Sequence, residues 1–277
     1  MVTVVKIGGA RAVDPDRAIA DIADLTASGE RLVIVHGGST AVDDLLEDLG
    51  DEPEYVTTPS GVTGRFTDER TMEVFTMAMA GQVNTDLTVA FQNADVNAVG
   101  LSGVDGGLLC GPRKSAVRVL EDGKKKIRRG DHAGRIDSVN TDLLETLLDG
   151  GYTPVVSVPM LADDGVAVNA DADRSAAAVA GALGAALVLL TDVSGVYEDP
   201  SDPSTRINEV LSPADLDRVR DAAEGFMTRK VMAAVEALES GATEVMIADA
   251  NAHAPVSDAR AGEATRITQE AIAEGAA

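Results

Sequence analysis

Two short runs near the N-terminus constrain this chain more than anything else in it. Val2-Thr3-Val4-Val5-Lys6-Ile7 stops at Gly8-Gly9, and Leu32-Val33-Ile34-Val35 stops at His36-Gly37-Gly38. Both are nearly unbroken apolar runs without alternation, which reads as strands buried on both faces. A helical pattern follows each. After Asp14-Pro15, with Asp as cap and Pro at the first helical position, Ile19, Ile22 and Leu25 form one stripe. After Gly38, Val42, Leu45, Leu46 and Leu49 form another. Strand, glycine pair and helix, twice over, predict an α/β chain whose parallel sheet is covered by helices on both faces.

The remainder continues the alternation. Tyr55 to Arg65 reads as a hairpin or loop around Pro59 and Gly61. A long helix follows, with Met72, Phe75, Met79, Val83 and Leu87 on one face. Those methionines read as core filler rather than ligands. Short strands fill residues 96 to 139, and Thr153-Pro154-Val155-Val156 is another buried strand. Asn169 to Asp173 leads into an Ala-rich helix ending near Leu183, and Ala186 to Leu190 is a strand. Asp199 to Pro203 is a turn, Met227, Val231, Val235 and Leu238 mark a helix, and Val245-Met246-Ile247 a strand. The tail beyond Thr268 is expected to be loosely attached. No repeat or linker interrupts the chain, so its two halves are expected to share one sheet.

Composition excludes several classes. A chain of 277 residues suits one large or two joined domains. Its single cysteine, Cys110, rules out an intramolecular disulfide, and His36, His132 and His253 are too scattered for a multi-histidine metal centre. No residue is assigned as a metal ligand. No apolar run reaches the roughly 18 residues of a membrane span, and no leader is expected ahead of the first strand. A cytoplasmic, membrane-free setting is the expectation. Lys and Arg number 23 against 46 Asp and Glu, a net charge of −23. That field repels phosphate backbones, so no nucleic-acid partner is expected. With 45% hydrophobic residues the chain is not of the disordered acidic kind. A halophilic surface, tuned for molar salt, accounts for the charge, because self-repulsion is then screened within about 3 Å.

Several residues carry chemistry. Glycines at a strand–helix turn let backbone N–H groups approach an anion. Neither pair matches the Rossmann or P-loop spacing. Lys6 sits at the carboxyl end of its strand, where open α/β sheets bind ligands. Lys230, beside Arg229, is placed in the first turn of a helix, where a cation opposes the helix dipole. It is either a tolerated surface lysine or one whose opposition is offset by a bound anion. Asn169, Asp171 and Asp173 either cap the next helix or supply a carboxylate that orients lysines or Mg²⁺ near a nucleotide. Arg65 is either a solvated loop residue or a bidentate clamp on a carboxylate. Lys124-Lys125-Lys126-Ile127-Arg128-Arg129 places five cations in six residues of an acidic chain. It is either a solvated hairpin or a docking patch for an acidic partner.

Six motifs in order carry a resemblance: Lys6-Ile7-Gly8-Gly9, Val35-His36-Gly37-Gly38, Arg65-Phe66-Thr67-Asp68, Asn169-Ala170-Asp171-Ala172-Asp173, Leu190-Thr191-Asp192-Val193-Ser194-Gly195-Val196 and Met227-Thr228-Arg229-Lys230. Together they resemble the amino-acid kinase family, in its acetylglutamate kinase-like branch, from Val2 to about Ile267. Gly103-Val104-Asp105-Gly106-Gly107-Leu108-Leu109, and Phe66 after Arg65, look more like the kinases whose glutamate or 2-aminoadipate is blocked by an amino-group carrier protein. The resemblance implies a three-layer αβα sandwich of two lobes on one sheet. Residues 1–170 would bind the amino-acid substrate and dimerise, and residues 171–277 would bind nucleotide. It implies phosphoryl transfer from ATP, with Mg²⁺, to a side-chain carboxylate in arginine or lysine biosynthesis.

By the same resemblance, Lys6 and Lys230 stabilise the transition state and Asp173 orients both. Gly8, Gly9 and Gly38 give N–H groups to phosphates, and Gly37, Gly38, Arg65 and Asn169 hold the amino acid. Thr191, Asp192, Val193, Ser194, Gly195 and Val196 line the adenine and ribose site. Lys124, Lys125, Lys126, Arg128 and Arg129 dock the acidic carrier, and the kinase is a homodimer. Ser39 stands where relatives have a third glycine but could cap the helix, Asp171 replaces an asparagine, and Phe226 replaces a glycine. The alternatives are N-acetylglutamate kinase and a non-catalytic nucleotide or amino-acid sensor on the same scaffold. Arg65 and Asn169 disfavour the carbamate and uridylate kinase branches. No N-terminal helix of the arginine-inhibited kind is visible, so arginine feedback is not expected.

Overall fold

The computed structural model describes residues 1–9, 15–59, 61, 63–121 and 123–273. Asp14, expected as a helix cap, lies outside them. The N-terminal half runs β1 (Val2–Ile7), α1 (Pro15–Ala27), β2 (Arg31–His36), α2 (Ser39–Asp48), β3 (Tyr55–Thr57), β4 (Thr63–Arg65), α3 (Glu69–Thr76), a π-helical segment (Met77–Val83) and α4 (Asn84–Asn93). Then come β5 (Ala98–Gly103), β6 (Leu109–Gly111), β7 (Arg113–Glu121), β8 (Lys124–Gly134), β9 (Ser138–Val139), α5 (Thr141–Asp149), β10 (Thr153–Ala162) and β11 (Ala167–Val168). The C-terminal half runs α6 (Ala172–Leu183), β12 (Ala186–Thr191), β13 (Glu209–Val210), α7 (Pro213–Ala222), α8 (Phe226–Glu239), β14 (Glu244–Asp249), α9 (Pro255–Arg260) and β15 (Ala264–Thr268).

One mainly parallel sheet of eleven described strands crosses the molecule in the order β13-β15-β14-β12-β1-β2-β10-β6-β9, with β5 and β11 also pairing with β10. β1 lies between β12 and β2, both parallel to it, with Lys6 opposite Leu189 on one side and Val35 on the other. Strand order therefore departs in both directions from β1, the position beside which open α/β sheets bind ligands. Alternate residues of the buried strands feed opposite cores. Val4, Val33 and Val35 face a core built with α2, α3, α6 and α8. Val5, Ile7, Leu32 and Ile34 face one built with α1, α4 and α9. The layers are helix, sheet, helix, as the unbroken apolar runs predict. No described helix is long and apolar enough to cross a membrane.

Three expectations are corrected. The long helix does not keep one apolar face: Met72, Phe75 and Met79 enter the first core, while Phe91, with Leu87 beside it, enters the second. The π segment between them shifts the side-chain register, which a 3.6-residue template cannot anticipate. The tail is not loose as far as Ala271. β15 pairs antiparallel with β14, and Ala271 is 1% exposed. Ser39 does not cap α2; Gly38 is the N-cap and offers no side chain, leaving that helix end without a side-chain acceptor.

The two glycine turns touch. A Cβ on Gly9 would lie 2.1 Å from the Gly38 nitrogen and 2.4 Å from the Gly37 carbonyl carbon, both backbone atoms. Gly9 is required by this approach between strand ends rather than by an unusual φ. Gly9→Ala is expected to cost about 3 kcal/mol or more, at the upper end of overpacking, because backbone cannot yield as a side chain can. Denaturant unfolding measures it, and an unchanged midpoint would contradict the contact.

Candidate active site

The carboxyl end of β1, the start of α6 and the start of α8 converge on one buried carboxylate. Asp173, the second residue of α6, sits between two ammonium groups. The Lys6 Nζ lies 2.7 Å from its Oδ1. Lys230 donates a hydrogen bond to its Oδ2 at 3.2 Å. All three side chains are at most 12% exposed. Burial pushes the Asp173 pKa up, but the charges of Lys6 and Lys230 pull harder, and the carboxyl is lowered to about 2. Lys230 is lowered from its ordinary value, first by burial and then by the neighbouring Lys6 charge, with Asp173 opposing both.

The sequence pattern puts Lys230 in a first turn, but it is the fifth residue of α8, one turn in. The pattern of Asn169, Asp171 and Asp173 divides cleanly. Asp171 caps α6 by accepting from the Arg174 N–H at 3.0 Å, and Asp173 points to the lysines. Asn169 donates to the buried Thr67 hydroxyl at 3.0 Å. Thr67 in turn donates its backbone N–H to Asp131 at 3.2 Å, so the orientation of Asn169 depends on groups that carry no motif.

Gly37 and Gly38 lie against Gly9, and a Cβ on Gly37 would stand 3.8 Å from the Lys6 Nζ. Beneath them His36 is fully buried. Burial holds it at about 4, opposed by a hydrogen bond with the Gly37 carbonyl and aided by the Lys6 charge. The Asn84 amide donates to its Nε2 at 3.0 Å, which leaves Nδ1–H facing the Gly37 carbonyl at 3.1 Å. Neutral His36 and Asn84 thus support the glycine turn from below. Asn84 escapes sequence reading because the π segment alone turns it inward.

Arg65 is not a free clamp. Its guanidinium pairs with Asp43 at 2.5 Å, donates to the Ser39 carbonyl and the Tyr55 hydroxyl at 3.0 Å each, and lies over the Tyr55 ring. This fastens the β3–β4 hairpin to the start of α2. Arg229, unremarkable in sequence except as Lys230's neighbour, reaches the same hairpin, with its Nη2 3.8 Å from where a Gly64 Cβ would be. It has no ion pair among the described residues.

The stretch after β12 presents Asp192 and Val193 to solvent, with Ser194 half-buried. Thr191 and Val196 are buried, and Val196 belongs to the core. The Thr265 hydroxyl accepts from the Val196 N–H at 2.8 Å, and a Cβ on Gly195 would fall 2.5 Å from it. Thr265, from β15, therefore sets the path of this loop. Gly8 and Gly9 line a cleft together with Gly37 and Gly38. Among the described residues no group of three or more His, Cys, Asp or Glu could hold a metal ion. Asp173 itself is committed to the two lysines.

Paired buried lysines on a shared carboxylate, at the carboxyl edge of a parallel sheet and beside two glycine turns, define a phosphoryl-transfer fold. The chain matches the amino acid kinase family over residues 1–249, and it belongs to that family. It is 45% identical over 267 residues, 96% of this chain and 91% of the other, to the [LysW]-aminoadipate kinase of Deinococcus radiodurans. It is 40% identical over 247 residues, 88% of this chain and 93% of the other, to the acetylglutamate kinase of Methanopyrus kandleri. The N-acetylglutamate synthase of Neisseria gonorrhoeae, solved with coenzyme A and N-acetyl-glutamate, superposes with a TM-score of 0.73 at 28% identity over 98% of this chain. This chain spans 60% of that synthase's length.

Proposed function

We propose that the chain transfers the γ-phosphoryl group of ATP to the side-chain carboxylate of 2-aminoadipate or glutamate whose amino group is held by a small acidic carrier protein. The observation that carries this reading is the Lys6–Asp173–Lys230 arrangement, supported by relatives acting on LysW-linked aminoadipate. The acceptor carboxylate has a pKa near 4.3 and is ionised at neutral pH, so no general base is needed. His36, neutral and buried, is not one. A carboxylate oxygen forms a bond to the γ-phosphorus while the bond to the β–γ bridging oxygen breaks, giving an acyl phosphate and ADP. The chemistry asks for in-line positioning and cancellation of charge. In this reading Lys6 and Lys230 supply the positive charge, and Asp173 fixes their separation.

Gly8, Gly9 and Gly38, with the uncapped start of α2, bring N–H groups to the phosphates. Gly37, Gly38 and Asn169 receive the amino acid. Arg65 meets the α-carboxylate only by sharing itself with Asp43, so Arg229 joins it in that role. Asp192, Val193 and Ser194 offer side chains to the adenosine, while Thr191, Gly195 and Val196 shape the loop. The lobes divide near residue 170, with amino acid on one side and nucleotide on the other. Mg²⁺ enters as part of Mg·ATP, held by phosphate and water oxygens. A homodimer, a cytoplasmic setting and a surface adapted to molar salt belong to the same proposal.

A hydroxylamine trap for acyl phosphate, with Mg·ATP in molar KCl, tests it. Free N-acetylglutamate is run beside carrier-linked glutamate and carrier-linked 2-aminoadipate. Product from a linked substrate is the expected result. Product from N-acetylglutamate alone moves the chain to acetylglutamate kinase, and no product from any leaves a sensor. The two linked acceptors differ by one methylene, so discrimination of about 10–200-fold is the range expected between them.

A further inference from the structure

We infer that the carrier docks on one face only of the β7–β8 ribbon, the outer face, through three cations set around an exposed leucine–isoleucine pair. This rests on the carrier-linked reading above. The basic run looks uniform in sequence, but a strand sends alternate residues to opposite sides. β7 and β8 pair antiparallel, with Val117 opposite Arg128, Val119 opposite Lys126 and Glu121 opposite Lys124. Val117, Val119 and Arg128 of that face turn toward the body of the protein, while Lys124 and Lys126 near the tip are exposed. Val119 is fully buried. Arg128 lies 4.2 Å over the Phe66 ring and pairs with Glu54, and Lys126 pairs with Glu121 at 2.9 Å. Three of the five expected docking residues, Lys124, Lys126 and Arg128, thus stand on the inner face.

The outer face is made by Ala116 opposite Arg129, Arg118 opposite Ile127 and Leu120 opposite Lys125. All six are exposed. Leu120 and Ile127, diagonal neighbours across the ribbon, are 45% and 64% exposed. Arg118, Lys125 and Arg129 have no ion pair among the described residues. Surface arginines elsewhere, such as Arg31, Arg70, Arg218 and Arg266, do sit beside carboxylates. In a chain of net charge −23, carboxylates are plentiful, so three cations left without them on one small face mark a surface suited to someone else's. An apolar pair at its centre adds an attraction that salt does not screen, the arrangement of a small hot spot inside a charged rim.

The ribbon also leads to the site. At its root the His132 N–H donates to the Thr67 carbonyl, and the Asn169 N–H donates to the His132 carbonyl, at 2.7 Å each. Ala133 forms a bridge with Asn169. From Ile127 to Ala133 the strand covers about 20 Å at 3.4 Å per residue. A carrier seated on the outer face presents its amino acid along β8 toward Asn169, whereas a free acetylated substrate makes no use of that surface. A second copy of this acidic chain is the competing occupant.

Adjacent residues on opposite faces provide a matched test. Lys125→Glu with Arg129→Glu, and separately Ile127→Ser, are compared with Lys124→Glu by steady-state kinetics on carrier-linked substrate. The outer charge variant is expected to lower kcat/KM about 30-fold, the effect of a hot spot, with kcat at saturation within about twofold. Ile127→Ser is expected to lower it about tenfold and to keep that effect in molar KCl, where the charge effect shrinks. Lys124→Glu is expected to stay within about threefold. An equal loss in Lys124→Glu overturns the face assignment in favour of a general field. Unchanged kinetics in all outer variants places docking elsewhere. Outer variants that alter only the oligomeric state in size-exclusion chromatography identify a second copy as the occupant. Failure of the unmodified chain to use any linked substrate overturns the underlying reading instead, and is scored before any variant.

Discussion

Lys6→Met is expected to lower kcat by about a hundred- to a thousandfold, the usual loss when one fixed charge-stabilising group is removed from a transition state. The nucleotide dissociation constant, by titration, is expected to change less than about fivefold, because the glycine N–H groups and Lys230 remain. Methionine suits this position. It matches the lysine stem in length, keeps its packing within β1, and leaves Asp173 one of its two ammonium partners at 3.2 Å. The fold is therefore expected to persist, with intact circular dichroism and a cooperative melt. A normal fold with normal nucleotide binding and collapsed turnover assigns Lys6 to the phosphoryl group in flight. Turnover within a few-fold of the unmodified chain removes it from the chemistry. A sensor on this scaffold has no turnover to lose, so the comparison also separates the enzymatic reading from that one.

The fold was legible because its strongest signals are local. β1, β2 and β12 are apolar runs whose burial on both faces needs no partner to be recognised, and glycines mark where they stop. What stayed hidden depends on contacts distant in sequence. Nothing near Gly9 announces that Gly38 will press against it. Asn84 turns inward only because seven residues before it wind as a π-helix. Arg65 invites the reading of a free clamp until Asp43, twenty-two positions away, is seen to hold it. The basic run shows the same limit. Its charge is readable in one dimension, but which cations face outward follows from the register with β7. Candidate site residues were found where a residue type was unusual for its place, as with a lysine in an apolar strand. Supporting residues such as Thr67, Asn84 and Thr265 are ordinary where they stand, and only the assembled sheet exposes their function.

Asp173→Asn is expected to damage stability and catalysis together, with a pH signature that a merely structural residue would not give. The folded-state pKa of Asp173 is lowered from 3.8 to about 2. Its contribution is therefore fully present above about pH 4 and is lost as pH falls toward 2, and the gap corresponds to about 2–3 kcal/mol. Asparagine removes that contribution at every pH and leaves two buried ammonium groups facing each other, a loss of the order of 3–5 kcal/mol for a broken buried pair. The unfolding midpoint of the variant is expected to be lower at neutral pH and to lose this acid-side dependence. Catalysis changes at the other end of the scale. Lys230 is already lowered by burial and by Lys6, and Asp173 is the main group holding it up. Without that carboxylate Lys230 releases its proton at lower pH, and a neutral amine cannot balance phosphoryl charge. The basic limb of kcat is expected to lie at lower pH than in the unmodified chain, so that the variant regains part of its activity as the pH is lowered from the alkaline side. Asp173→Glu restores the charge in a packed site that fits it less well. It is expected to return the basic limb to its place while leaving stability reduced. A variant with low kcat and an unmoved pH profile would mean that Asp173 spaces the lysines without tuning them.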